Sequence, residues 1–176
     1  MEYTYRIESP VGLLTVASDG ESITGLWLEG QQYYAAGLEE HTEKKELPIF
    51  ERLQEWLELY FSGKEPDFSL PLAPKGSEYR QAVWKLLLSI PYGTVATYGS
   101  LAKQMDQLEE DRHTSARAVG GAVGHNPISI LIPCHRVIGM DGSLTGYAGG
   151  IQRKIHLLKL EKVPMELFHT PPADRL

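Results

Sequence analysis

Cysteine is almost absent from this chain: Cys134 is the only one in 176 residues. One cysteine cannot close an internal disulfide, which points to a reducing, intracellular setting. It also excludes a zinc site built from several cysteines. The six histidines, at positions 41, 113, 125, 135, 156 and 169, never fall at His-x3-His spacing, so no metal is expected. No apolar run approaches the roughly 18 residues of a membrane helix. The N-terminal segment carries Glu2, Glu8, Asp19 and Glu21. It has no basic start before an apolar core, so it does not read as a secretory signal, and a cytoplasmic protein (nucleoid-associated if bacterial) is expected. Basic charge is scarce overall, with a formal net charge of -6. The deficit is local: residues 1–76 hold 6 Lys and Arg against 14 Asp and Glu, and residues 77–176 hold 11 against 9. The second half therefore leaves room for a modestly positive face, with modest, salt-sensitive affinity for nucleic acid.

The chain begins with alternation. Tyr3, Tyr5 and Ile7 interleave with polar residues, Ser9-Pro10-Val11-Gly12 turns the chain, Leu13 to Ala17 reads as a second strand, and Ile23 to Leu28 as a third after the Ser18-Asp19-Gly20 turn. Residues 31–46 are polar and acidic, with room for a short helix. Pro48 opens a helix at its first turn, with Ile49, Leu53, Trp56, Leu57 and Tyr60 at 3.6-residue spacing and Gly63 at its end. Pro66, Pro71 and Pro74 mark residues 63–76 as a linker. The division expected is residues 1–76 and residues 77–176.

Beyond the linker, Ser77 reads as an N-cap, and Tyr79, Val83, Leu86, Leu87 and Ile90 mark a helix ending at Pro91-Tyr92-Gly93. Thr97 caps a helix over Tyr98 to Met105, Asp106 to His113 reads as a loop, and Thr114 or Ser115 opens a helix from Ala116 to about Gly124. That helix holds Gly120 and Gly121 in its interior, each costing about 1 kcal/mol relative to Ala. Such a local conflict marks either a functional surface or close helix packing; composition does not separate the two. A further helix follows Gly149-Gly150, through Ile151, Ile155 and Leu158.

Cys134 ends an apolar run, Ile128 to Ile132, fenced by Pro127 and Pro133, which reads as a buried strand or extended segment. A lone cysteine is commonly a small buried hydrophobe. The adjacent His135 supplies what a reactive thiol needs, because imidazole activates thiols as nucleophiles. The residues alone leave both readings open.

The order Asn126-Pro127, four residues, Ile132-Pro133-Cys134-His135-Arg136-Val137 closely resembles the active-site signature of the O6-alkylguanine-DNA alkyltransferases, also called methylated-DNA–protein-cysteine methyltransferases. The resemblance covers Ser77 to about Glu161, and more weakly the N-terminal part. It implies an α+β protein: a small N-terminal antiparallel three-stranded sheet with a helix (a ribonuclease H-like domain), followed by a mostly helical C-terminal domain with a helix-turn-helix that binds DNA and accepts the alkyl group.

By the same resemblance, Cys134 is the acceptor, His135 the base acting through a water, and Glu161 the acid that orients His135, although by sequence alone Glu161 is an ordinary surface residue. Tyr98 matches the pocket tyrosine that assists protonation of the departing guanine at N3. Arg117 matches the arginine that fills the space left by a flipped nucleotide, on a recognition helix whose small residues, Ala116, Gly120 and Gly121 among them, approach the minor groove. Asn126 matches the hinge asparagine. Tyr147 forms a pocket wall, and the carbonyls of Cys134 and Val137 with the amide of Ala148 complete recognition of the base.

Departures are few. Ala148 stands where some members carry Ser, the Asp106–His113 loop is longer than usual, and the cysteines that hold zinc in some relatives are missing. The implied function is stoichiometric, irreversible transfer from O6-alkylguanine in flipped-out duplex DNA, with O4-alkylthymine open as a second substrate. No cofactor is required and a monomer is expected. Two competing readings are a lesion-binding protein that does not repair, which in the resemblance lacks a cysteine at position 134, and a Cys-His hydrolase, which would leave the glycine-rich helix and Arg117 without purpose.

Overall fold

The computed structural model describes residues 1–40, 42–108, 113–144, 146–166 and 168–170. The chain divides into two compact units, Met1–Lys75 with Pro127–Ser129, and Gly76–Asn126 with Ile130–Leu176. The secondary structure is mixed α+β, with a small N-terminal sheet and five helices among the described residues.

In the first unit, β1 (Glu2–Ser9) and β2 (Gly12–Ser18) form a hairpin in which Ser9 pairs with Gly12, and β3 (Ile23–Leu28) adds antiparallel to β2. The expectation of a three-stranded antiparallel sheet needs correction. A fourth strand, β4 (Thr42–Lys44), pairs parallel to β1, giving the order β3-β2-β1-β4. Three exposed polar residues carry no apolar alternation, so backbone pairing alone makes this strand. Residues 32–37 form turns, not a helix, and Tyr33 and Ala35 sit at positive φ.

Helix α1 (Pro48–Phe61) opens with proline in its first turn and buries Ile49, Phe50, Leu53, Leu57 and Tyr60. Phe50 stacks on Tyr5 of β1, while Trp56 is half-buried and stacks on Tyr60. The outer edge of β3 is protected by passing backbone. Ile23 N–H donates to the Pro71 carbonyl, and Leu26 N–H donates to the Pro127 carbonyl. Both segments thus satisfy an edge that would otherwise invite pairing with another chain. A cavity of about 660 Å³ in this unit, lined by Thr15, Tyr34 and Lys44 among others, contains none of the candidate site residues.

The second unit contains α2 (Glu78–Leu88), α3 (Tyr98–Leu108), α4 (Ala116–Gly124) and α5 (Ile151–Leu160). Ser77 and Ser115 cap α2 and α4 by accepting from the Arg80 and Ala118 amides. Thr97 and Ser100 cap α3 reciprocally: Ser100 N–H donates to Thr97 Oγ1 at 3.0 Å, and Thr97 N–H to Ser100 Oγ at 3.2 Å. This is a capping-box arrangement. α3 runs to Leu108, beyond the expected Met105, so Asp106 is helical. Of the expected Asp106–His113 loop, residues 109–112 lie outside the described residues. α2 stops at Leu88, short of Pro91, and the buried Ile90 follows in a turn.

Two short strands, β5 (Ala96–Thr97) and β6 (Val137–Ile138), pair in parallel. Trp84 of α2 donates its indole N–H to the Ala122 carbonyl of α4 at 2.8 Å.

The segment Ile128 to Ile132 is not a strand. Ile128 makes a single bridge to Leu26, and residues 129–131 turn, with Ile130 at φ 70°. The apolar run is buried as expected, since Ile128, Ile130 and Ile132 are all inaccessible. Its β-branched composition points to a strand, yet burial of these side chains does not require a ladder. A β-branched residue in the left-handed region costs on the order of 1–3 kcal/mol. That strain sits four residues before Cys134.

Candidate active site

The residues Cys134, His135 and Arg136 occupy a single 3-10 turn between Pro133 and β6. Successive side chains therefore leave the backbone in different directions. Cys134 and His135 are both buried. The Cys134 amide donates to the Ile132 carbonyl at 2.8 Å. Asn126, buried at the end of α4, donates its side-chain N–H to that same carbonyl at 2.8 Å. The asparagine thus ties the end of α4 to the residues that deliver the thiol.

Glu161 is the C-cap of α5 and is only 1% exposed. The surface position read from sequence alone is corrected here: a polar residue closing an amphipathic helix looks solvated until its partners are known. One carboxylate oxygen lies 2.5 Å from His135 Nε2. The other accepts from Arg136 Nε at 2.7 Å and from the Gly93 amide at 3.3 Å. Burial pushes the Glu161 carboxyl up, but the hydrogen bonds and charges of His135 and Arg136 overcome it and hold the group at about 2. An ionised carboxylate only accepts hydrogen bonds. His135 Nε2 must therefore carry a proton toward Glu161, which makes Nδ1 the basic nitrogen of the neutral ring.

Burial pushes the His135 pKa down, aided by the Arg136 and Lys154 charges and opposed by Glu161. The ring is accordingly neutral and able to take a proton. Burial likewise pushes the Cys134 thiol up, against the lowering effects of the Asn126 hydrogen bond and the Lys154 charge. The resting group is a thiol, so nucleophilic use of it requires a base.

Tyr98, the first residue of α3, is pushed upward by burial and by Cys134. A Cβ added at Gly146 would collide with the Tyr98 hydroxyl oxygen, and Gly146 has φ 87°. Only glycine fits there, and the hydroxyl is thereby pressed against the loop that carries Tyr147 and Ala148. Tyr147 and Ala148 are both half-buried along that loop, and the Tyr147 ring meets His135 edge-on with centroids 6.4 Å apart. The Val137 carbonyl accepts a short hydrogen bond from Lys154 Nζ.

The sequence reading assigns no role to Lys154 or Arg136. Lys154 is fully buried, and desolvation lowers it to about 8, opposed by Cys134. Its signal is available in the chain: a lysine on the apolar stripe of α5, three residues after Ile151, is rare inside a protein unless paired. Arg136 stands inside the signature without a role.

On α4, Ala116, Arg117 and Gly121 are exposed and Gly120 is half-buried. A Cβ at Gly120 would make ordinary contact with the Tyr98 ring at 3.8 Å, while one at Gly121 would meet nothing within 4 Å. Close packing against described residues therefore gives no reason for glycine at position 121. Among the described residues, no three His, Cys, Asp or Glu side chains converge as a metal site, and no helix is long and apolar enough to cross a membrane.

A family model described as 6-O-methylguanine DNA methyltransferase, DNA binding domain, matches residues 78–163, and one described as its ribonuclease-like domain matches residues 1–74. A methylated-DNA–protein-cysteine methyltransferase of Haemophilus influenzae is 48% identical over 163 residues, covering 92% of this chain and 87% of the relative. One of Mycobacterium bovis is 45% identical over 160 residues, covering 90% and 92%. The crystal structure of Mycobacterium tuberculosis OGT in complex with DNA is similar at 41% identity and a TM-score of 0.78, covering 98% of this chain and 96% of that one.

Proposed function

We infer that this chain, which belongs to the 6-O-methylguanine DNA methyltransferase family, repairs alkylated DNA by moving the alkyl group of an O6-alkylguanine onto its own Cys134. The observation that carries the reading is the buried line of Cys134, His135 and Glu161, with the carboxylate 2.5 Å from the imidazole beside the chain's one thiol. A neutral imidazole whose Nε2 proton is held by a carboxylate is set to accept a proton at Nδ1. The thiol proton goes to His135, through a water in the family's manner. The thiolate sulfur attacks the alkyl carbon, the carbon–O6 bond breaks as the carbon–sulfur bond forms, and the departing guanine is protonated at N3 with the help of Tyr98. In net, the thiol hydrogen ends on guanine. The thioether is not reversed by thiol exchange, so each molecule reacts once, and no cofactor enters because the substrate is already an alkyl donor.

The target oxygen is out of reach within stacked DNA, so the base is extruded at a cost of a few kcal/mol. In this reading α3 and α4 form a helix-turn-helix, α4 lies in the minor groove, and Arg117 fills the gap in the stack. Ala116, Gly120 and Gly121 bring the α4 backbone close to the groove floor, a use supported by the open space beside Gly121. Asn126 acts as the hinge between α4 and the thiol segment. Tyr147, the Ala148 amide and the carbonyls of Cys134 and Val137 line the base pocket. Residues 77–176 then make the DNA-binding and alkyl-acceptor domain and residues 1–76 the ribonuclease H-like domain, in a monomeric cytoplasmic protein.

The lesion-binding alternative is disfavoured by Cys134 itself. The test is Cys134→Ser on duplex DNA carrying one O6-methylguanine: transfer vanishes while binding to that duplex persists. A Cys134→Ser protein that still removes the methyl group would sink this mechanism.

A further inference from the structure

Arg136 spans two helix ends of the second unit. Its Nε donates to Glu161 at the C-cap of α5 at 2.7 Å, and its Nη1 donates to the Ile90 carbonyl beyond α2 at 2.8 Å. The guanidinium also lies 5.7 Å from the centre of the Tyr92 ring. The side chain is only 11% exposed. A fork held at both prongs is rigid, and lysine cannot reproduce it. Glu161 is thus gripped from opposite sides, one oxygen by His135 and the other by Arg136.

We propose that Arg136 is a positioning residue of the transfer reaction, holding Glu161 against His135 and setting the pH at which His135 can serve as base. The inference deepens the proposed function and rests on the reading of His135 as the proton acceptor. Glu161 shares one negative charge between two partners. With Arg136 present, carboxylate and guanidinium together are close to neutral, and the imidazole beside them has little reason to hold a second proton. Without the guanidinium, the undivided carboxylate favours imidazolium, and the base is spent up to a higher pH than in the wild type. The other groups facing His135 are the Lys154 ammonium, which opposes imidazolium, the Cys134 thiol and the edge of the Tyr147 ring. None of these replaces a cation bonded to Glu161.

The test is the pH profile of single-turnover methyl transfer from duplex DNA carrying one O6-methylguanine. DNA is kept well above its Kd at every pH, so that binding does not enter. Arg136→Gln should move the midpoint of the rising limb upward by about one pH unit. That makes transfer about tenfold slower at a pH one unit below the wild-type midpoint, with the alkaline plateau little changed. Arg136→Lys, which keeps the charge and loses the fork, should raise the midpoint by less than Arg136→Gln does. An Arg136→Gln protein slower by one factor at all pH values, with an unmoved midpoint, would reduce Arg136 to a structural strut and overturn the proposal. Should circular dichroism show Arg136→Gln unfolded, a folded Arg136→Lys decides: a raised midpoint supports the proposal and an unmoved one overturns it. Failure of the function itself is distinct, because the wild-type protein would then transfer nothing at any pH.

Discussion

Replacing Glu161 by glutamine should destabilise the protein by an amount that shrinks in acid. The substitution keeps shape and removes charge. The wild-type carboxyl is held at about 2 against an ordinary 4.5. Its folded value lies below its unfolded value, so its stabilisation is fully present above the unfolded pKa and is lost as pH falls toward the folded one. The gap corresponds to about 3 kcal/mol at neutral pH, and about 2 kcal/mol of that is gone by pH 3. The neutral amide would also leave the buried Arg136 guanidinium without its carboxylate, so the loss is not offset elsewhere in the pair. We therefore expect Glu161→Gln to be less stable than wild type by about 3 kcal/mol at pH 7 and by about 1 kcal/mol at pH 3. Urea unfolding at several pH values, followed by far-ultraviolet ellipticity and by tryptophan fluorescence, measures both. A gap that stays constant from pH 7 to pH 3 would mean that the carboxylate is not held as the geometry implies.

Lys154→Met should raise stability while harming transfer. The folded Lys154 value of about 8 lies below the ordinary 10.5, so burial of this side chain is free of a charging cost only above the unfolded pKa, and that stability is lost as pH falls through 8. At pH 7 the buried ammonium therefore costs about 3 kcal/mol, offset in part by its bond to Val137. A gain of about 1–2 kcal/mol in urea unfolding at pH 7, smaller at pH 10, is expected. Transfer should slow because the cation that lowers the Cys134 thiol is gone. A destabilised Lys154→Met at pH 7 would contradict this. Gly121→Ala should stabilise α4 by about 1 kcal/mol, raising Tm, and should weaken DNA binding through the added methyl on the surface proposed to face the groove. Unchanged affinity in a fluorescence anisotropy titration would argue against that surface.

The legible parts of the fold are those with period and punctuation. β1 shows alternation, β2 and β3 are apolar runs between turn residues, α1 shows its apolar stripe after Pro48, and α4 is bounded by Ser115 and the Asn126-Pro127 break. The elements that escape are made by partners. β4 is three polar residues paired to β1, and β5 and β6 are two residues each. None carries a local signal. Ile128 to Ile132 deceives because β-branched composition reports burial as readily as it reports a strand.

The candidate site divides the same way. Cys134, His135 and Asn126 stand together in sequence, and the resemblance to a known family gives them roles that spacing alone does not. The burial of Glu161 depends on Arg136 and Gly93 arriving from other parts of the unit, which no local pattern encodes. Lys154 is visible as a charge on an apolar stripe, and its meaning requires the thiol and the Val137 carbonyl beside it.

The most direct measurement is an intact mass spectrum after the protein is mixed with a duplex oligonucleotide carrying one O6-methylguanine. Repair by self-alkylation predicts a gain of one methyl group, mapped to the Cys134 peptide, saturating at one per protein, with unmodified guanine left in the DNA. Bound but unchanged oligonucleotide with no gain in protein mass would contradict it and favour a lesion-binding protein.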